Sequence, residues 1–203
     1  MAAASIAQRY IGTLAALLRD AEVTGQDRAT MALDDGIAWM RKAVRETHGR
    51  GNKIMFIGNG GSAGIASHLA IDYSKNGHLR ATAFNDAAAL TCLANDLGYE
   101  NVFSEQISLH ARDGDLLVAI SSSGASPSIL NAVEAARAAG VRILTFSGFA
   151  PDNPLRGTGE VNFFVRSDAY GFVEVAHLAL CHAVLDIELG WRGSLVAANK
   201  VSV

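Results

Sequence analysis

Two short stretches carry residue types and spacings that suit the binding of a phosphate. The first is Gly58-Asn59-Gly60-Gly61-Ser62, which follows an apolar run, Ile54 to Ile57, and precedes a small-residue helical pattern through Ala63, Ala66 and Ala70. Strand, glycine turn and helix in that order leave unpaired backbone N–H groups at a helix N-terminus, where the positive end of the dipole favours an anion. The spacing is neither that of a Walker loop nor Gly-x-Gly-x-x-Gly, and a tight turn in an α/β fold accounts for it about as well. The second stretch is sharper. Ser121, Ser122, Ser123 and Ser126 surround Gly124 directly after the strand-like run Asp115 to Ile120. Several hydroxyls together with helix N-terminal N–H groups can wrap a phosphate without lysine or metal, whereas a plain loop needs no such run of hydroxyls.

Both loops need a sheet to hold them, and the pattern from residue 53 onward supplies one. Apolar runs at Ile54 to Ile57, Thr82 to Phe84, Asp115 to Ile120, Val141 to Phe146 and Val161 to Val165 read as five strands. Helical stretches stand between them: one after the first loop, Asn85 to Asn95, and Ile129 to Ala139 with Pro127 in the first turn and Gly140 as the stop. Val173 to Leu189 closes the series. Such alternation implies right-handed crossovers and parallel strands, with both loops at strand carboxyl ends, where open α/β sheets bind ligands. Ahead of this, Ile6, Tyr10, Ile11, Leu14, Leu17 and Leu18 mark one amphipathic helix over 5–22. Met31, Leu33, Ile37, Met40 and Val44 mark a second, after Gly25-Gln26-Asp27. The expectation is a three-layer α/β/α sandwich with a five-stranded parallel sheet, flavodoxin-like, preceded by an N-terminal helical pair. It forms a single domain over 1–203, with leading helices in 1–50, the core in 53–190 and a tail in 191–203. Because the other helices suffice to cover the sheet, the leading pair is expected to bundle with another subunit.

Composition narrows the function classes. Half of the 203 residues are hydrophobic, which is ample for a core, and the net charge is −3 with no basic block, so nucleic acid is not an expected partner. No apolar stretch reaches membrane-span length, and Met1-Ala2-Ala3-Ala4-Ser5-Ile6 lacks the basic start of a secretory signal. Cys92 and Cys181 are isolated in apolar contexts and read as reduced core residues of a cytoplasmic protein.

Gly58 to Ser62, Ile120 to Ser126 and the segment Ala94-Asn95-Asp96-Leu97-Gly98-Tyr99-Glu100-Asn101-Val102-Phe103 together resemble the SIS (sugar isomerase) fold. More closely they resemble the phosphoheptose isomerases, which convert sedoheptulose 7-phosphate to D-glycero-D-manno-heptose 7-phosphate. The likeness runs from about residue 5 to 190. It implies that Ser121, Ser122, Ser123 and Ser126 hold the substrate phosphate, that Asn59, Gly60 and Ser62 face the sugar, and that Asp96 marks the heptose branch. The family's acid–base apparatus is a helical His-x-x-x-Glu pair and a Gln and His on the last helix, which hold zinc in some members. Here the first pair reads His68 and Asp72, whose i, i+4 spacing puts both on one helical face. His182 matches the family histidine, and Glu174 takes the glutamine's place.

The resemblance thus implies Asp72, His182 and Glu174 as catalytic residues of an aldose–ketose isomerase working through an ene-diol. It also implies His68, Asp72, Glu174 and His182 as ligands of a zinc or other divalent ion, with metal-free acid–base work as the other course. Eight residues of ideal helix span about 12 Å, too far for Glu174 and His182 to ligate one ion. Glu174 must then stand at or before the helix start or serve a neighbouring subunit. A homotetramer with active sites between subunits is the implied assembly. Two alternatives stay open: a non-catalytic SIS homotetramer that binds a protein partner, of the replication-initiator-associating type, and an isomerase for a different sugar phosphate. His177 reads as packed, His48, His78 and His110 as surface, and Asn85 and Asp86 as equally suited to a helix cap or a substrate contact.

Overall fold

The computed structural model describes residues 4–193. Its frame is one sheet of seven strands in the order β2-β1-β7-β6-β5-β3-β4. Strands β3 (Ile54–Gly58), β4 (Ala81–Ala83), β5 (Leu116–Ser121), β6 (Arg142–Gly148) and β7 (Val161–Val165) are the five expected parallel strands. Two more have no counterpart in the sequence pattern. β1 (Glu22–Gly25) runs antiparallel to β7 and pairs in turn with β2 (Thr30–Met31). They occupy what the periodicity takes for the end of one helix and the start of the next, so Met31 belongs to a strand and not to a helix. A strand of two or four residues is too short to show a period of its own. Val23 and Thr24 are nonetheless buried, and Glu22 bonds Arg156 at 2.8 Å and Arg166 at 2.8 Å. Partial burial pushes the Glu22 carboxyl up, but the two guanidinium partners outweigh it and hold the group below its usual range.

Alternation within the strands divides the core. Ile54 and Phe56 of β3, with Leu116, Val118 and Ile120 of β5, face helices α2 (Leu33–Gly49), α3 (Gly61–Lys75) and α7 (Tyr170–Glu188). Met55, Ile57, Leu117 and Ala119 face α4 (Ala87–Leu97), α5 (Val102–His110) and α6 (Pro127–Ala138). The three layers are therefore as expected, and α5 is an added helix. Its nine residues follow a single 3-10 turn, and Val102, Phe103 and Ile107 are too few to display a helical repeat.

The leading pair departs from expectation. α2 is not free for another subunit, because it inserts Met40, Ala43 and Val44 into the core between β7 and α7. α1 (Ile6–Arg19) has no fully buried residue. Its second half lays Leu14, Leu17 and Leu18 on the same core, while Ile6, Tyr10 and Ile11 stay exposed. α7 is the one helix among the described residues long and apolar enough to cross a bilayer, but its apolar side chains serve packing: Val173, Ala176, Leu180, Cys181 and Val184 are all buried. Of the tail expected over 191–203, residues 194–203 lie outside the described residues.

Candidate functional site

The first loop turns at Gly60, whose φ of +55° places it as the cap of α3, and its apex leaves the N–H groups of Gly61 and Ser62 at the helix start. Ser62 is buried there. Asn59 is held from two sides: its Nδ2 donates to Ser128 Oγ at 2.9 Å, and its Oδ1 accepts from the Tyr99 hydroxyl at 2.8 Å. The serine loop is shaped by Gly124, whose φ is +62° and whose missing side chain makes room for Asn153. A Cβ at Gly124 would lie 2.0 Å from Asn153 Oδ1. Ser121 Oγ accepts from Gly124 N at 3.2 Å and Ser123 Oγ from Ala125 N at 3.3 Å. Ser126 stands at the N-cap of α6 without a side-chain bond to it, and Ser122 Oγ is buried with no partner among the described residues. A buried hydroxyl left unpaired carries a real penalty unless a ligand meets it.

The two loops open on one cavity of about 340 Å³, lined by Asn59, Gly60, Gly61 and Ser62 on one side and Ser121, Ser122, Ser123 and Ser126 on the other. The loop residues singled out by type and spacing thus stand in one place. Tyr170 and Glu174 of α7 complete the lining. Glu174 lies over the first turn of α3, so close that a Cβ on Gly61 would sit 2.3 Å from its Oε1. Because α7 begins at Tyr170, Glu174 is inside the helix, and the reading that puts it at or before the helix start is excluded.

A second group of chemistry-bearing side chains stands further along α3. His68 Nε2 lies 3.2 Å from Asp72 Oδ2 and 3.2 Å from His182 Nε2, and His182 Nε2 lies 3.6 Å from Asp72 Oδ2. One ligand atom from each of the three falls within 4.8 Å of the others. His68 is exposed and the other two are half-buried, so the group is open to a ligand. The structure therefore brings together three of the four residues implied as metal ligands, and leaves Glu174 with the loops of its own chain. Asp96 also stands apart from the cavity. It is exposed in the last turn of α4 and accepts from Asn95 Nδ2 at 2.7 Å.

Asp86 is a helix cap, accepting from Ala89 N at 2.9 Å, and Asn85 ties the chain to α3 by donating to Ala63 O and Ser67 Oγ. Three supporting residues lie beyond the reach of local pattern. Tyr99 falls within the family-like segment 94–103, but nothing in its spacing points to Asn59. Asn153 and Ser128 carry no local signal either, because Gly124 and Asn59 are remote from them in sequence.

His177 is packed, as expected. It is fully buried, with Nε2–H donating to Ser147 O at 3.0 Å and Nδ1 without a partner. Burial pulls its pKa from 6.5 down to about 4, against a smaller upward pull from Ser147 O. Because the folded value is depressed, the stability it contributes is complete above 6.5 and is lost as pH falls toward 4. Denaturant titration should show a loss on the order of 3 kcal/mol across that window, and a His177→Phe variant should lack that part of the slope. Equal slopes in the two proteins would remove His177 as the cause.

Comparison with known proteins follows the same lines. The SIS domain family model matches residues 9–148. A phosphoheptose isomerase of Akkermansia muciniphila is 39% identical over 171 residues, 78% of this chain and 86% of that protein. One from Rhodospirillum rubrum is 43% identical over 139 residues, 65% of this chain and 73% of its own. Among solved structures, a phosphoheptose isomerase from Neisseria gonorrhoeae superimposes with a TM-score of 0.73 at 26% identity, covering 90% of this chain and 99% of that one.

Proposed function

Because this chain belongs to the SIS-domain family and, within it, to the phosphoheptose isomerases, we propose a division of labour among its own residues for the isomerisation of a sugar phosphate. The enzyme interconverts sedoheptulose 7-phosphate and D-glycero-D-manno-heptose 7-phosphate through an ene-diol. The observation that carries the binding half is the cavity between the two loops, with the unpartnered Ser122 hydroxyl inside it. Ser121, Ser122, Ser123 and Ser126 receive the phosphate, helped by the N-terminal ends of α3 and α6. Asn59, Gly60 and Ser62 bound the sugar next to it, with Asn59 fixed in orientation by Tyr99 and Ser128.

The chemical half falls to His182 and Asp72. Isomerisation requires one group to take the carbon-bound proton beside the carbonyl and another to manage protons on the two oxygens. Two titratable side chains 3.6 Å apart on separate helices suit such a pair. His68, Asp72 and His182 fit a divalent ion such as zinc, since two imidazoles and a carboxylate leave one of four positions open. When bound there, such an ion polarises the carbonyl and hydroxyl oxygens of the substrate.

Glu174 takes part through assembly. Eight residues separate Glu174 from His182 inside one continuous helix, about 12 Å of rise, so Glu174 reaches a His68–Asp72–His182 group only in a neighbouring copy. The exposed Ile6, Tyr10 and Ile11 of α1 supply an apolar face for that contact. A homotetramer with active sites shared between subunits accounts for both features. Cys181 is buried as expected, whereas Cys92 is exposed on α4 and is not a core residue; both are free thiols, which supports a cytoplasmic setting. A non-catalytic scaffold has no use for the clustered His68, Asp72 and His182.

Turnover of sedoheptulose 7-phosphate in deuterated water tests this reading. The expected result is heptose product carrying deuterium at the carbon next to the carbonyl, with a chelator lowering the rate on the order of tenfold or more and zinc restoring it. Absence of exchange overturns the isomerase chemistry, and a rate indifferent to the chelator removes the metal from it.

A further inference from the structure

A cavity of about 610 Å³, larger than the one between the two loops, has no part in the site above. It opens at the amino ends of β3, β4 and β5, whereas the serine loop leaves the carboxyl end of β5. Six residues of strand put the two ends about 20 Å apart. Arg50 and Lys53 enter the cavity wall ahead of β3, Arg80 ahead of β4, and His110 and Arg112 ahead of β5, with Asp115 the one carboxylate among them.

That carboxylate is fully engaged. Asp115 Oδ1 accepts from Lys53 N at 2.9 Å and Asn52 Nδ2 at 3.1 Å, while Oδ2 accepts from Arg112 N at 2.8 Å and from the Lys53 ammonium. Burial pushes Asp115 up, but the bonds from Lys53, Arg112 and Asn52 outweigh it and hold it ionised below the usual range. Lys53 is likewise committed, since its Nζ also donates to His110 O at 2.6 Å. The Asp115–Lys53 pair therefore knits the segments ahead of β3 and β5 and leaves the guanidinium groups uncompensated.

Elsewhere seven arginines have a carboxylate within reach. Among the described residues six arginines have none, Arg9, Arg28, Arg50, Arg80, Arg112 and Arg192, and three of these six, Arg50, Arg80 and Arg112, line this one cavity, although the chain as a whole carries a net charge of −3. Arg80 is steadied by a bond from Nη1 to Gly51 O, and Phe84 and His110 stack at 5.8 Å on the wall. Three like charges around one concavity repel one another and have no carboxylate to offset them; their planar forks match phosphate oxygens bidentately.

We propose that this cavity is a second anion site, distinct from the substrate phosphate loop, which takes a small molecule carrying two linked phosphates on Arg50, Arg80 and Arg112. The linked phosphates can come from inorganic pyrophosphate or from a nucleoside diphosphate, whose base would lie against the Phe84–His110 wall.

Calorimetric titration of the full chain with pyrophosphate, and separately with ADP, in the presence of saturating sedoheptulose 7-phosphate tests the proposal. Binding of one pyrophosphate per chain is expected, weakened on the order of tenfold for each guanidinium removed in Arg80→Gln, Arg112→Gln and the double variant. Isomerase turnover without the ligand should be unchanged in these surface variants. Tighter binding of ADP than of pyrophosphate identifies the nucleotide as the source, and equal binding identifies the phosphates as all that is read. No binding, or binding that the double variant leaves untouched, overturns the second site. Because the titration runs with the sugar phosphate saturating, a repeat without it separates the two sites: binding that appears only in its absence belongs to the serine loop and speaks to the proposed substrate site rather than to this one.

Discussion

Asp72→Asn and His182→Ala should each lower kcat on the order of 10³-fold while KM and the fold hold. Positioned acid–base groups contribute roughly 10²–10⁴-fold, and both changes act on the pair proposed for proton transfer without touching the loops proposed to receive the phosphate. Asp72 is half-buried, bonded to Asn76 Nδ2 at only 3.4 Å, and its neighbours His68 and His182 are open to water, so asparagine leaves no stranded charge in a dry interior. The two variants should not be additive, since a pair that moves protons between adjacent atoms fails when either member is lost. Steady-state kinetics beside thermal melting checks all of this. Full activity in either variant would take that residue out of the mechanism. Asp72→Glu is the informative companion: it restores the family's longer carboxylate, and a large loss would show that the rest of this site has adjusted to the shorter one.

Gly124→Ala should lower kcat/KM by about 10²-fold, mainly through KM, because phosphate contacts are made equally in ground and transition states. Two effects combine. Alanine at a φ of +62° costs about 1 kcal/mol by itself. Its Cβ would also displace Asn153, which donates to Ala150 O at 2.8 Å and Gly148 O at 3.3 Å and accepts from Arg156 N at 3.1 Å. Breaking that set should bring the stability loss to roughly 2–4 kcal/mol, visible in denaturant unfolding. Asn153→Gly in the same chain removes the collision, so the double variant should recover part of the KM that the single one loses. Unchanged KM in Gly124→Ala would mean that the serine loop does not hold the phosphate.

The parts of this molecule that are legible in its sequence are those where one local pattern decides the outcome. Ile54 to Ile57 and Leu116 to Ile120 are continuous apolar runs because both of their faces are covered. Each leads into a turn; the serines of the second suit a bound anion better than they suit a plain loop, whereas the glycines of the first suit either equally. The loops are therefore readable as binding elements, and the pairing of β3 with β5 sets them side by side. What stays hidden depends on distant partners. Val23 and Thr24 become strand only because β7 offers an edge, far away in the chain. Leu33 to Val44 shows an amphipathic face but not which surface it meets, so the pattern alone points α2 toward another subunit when the core of its own chain requires it. Glu174 poses a geometric problem from its spacing alone, and the helix start at Tyr170 resolves it. His68, Asp72 and His182 become one group only through the packing of α3 against α7.

The sheet ends in very short strands on both sides: β2 has two residues and β4 has three. An open backbone edge invites a second chain to add a strand, and the length of the exposed ladder sets how firmly it can do so. With so few free N–H and C=O groups on either flank, this molecule offers almost no template for strand addition, by its own copies or by an unfolding neighbour. The small hairpin of β1 and β2 is what caps that flank, since without it β7 would present five residues of buried-type, aromatic-rich backbone to solvent. Any contact between copies, as the proposed tetramer requires, then falls to helix faces, whose side chains can be matched and tuned, and the sheet itself is shielded from fibre-like growth.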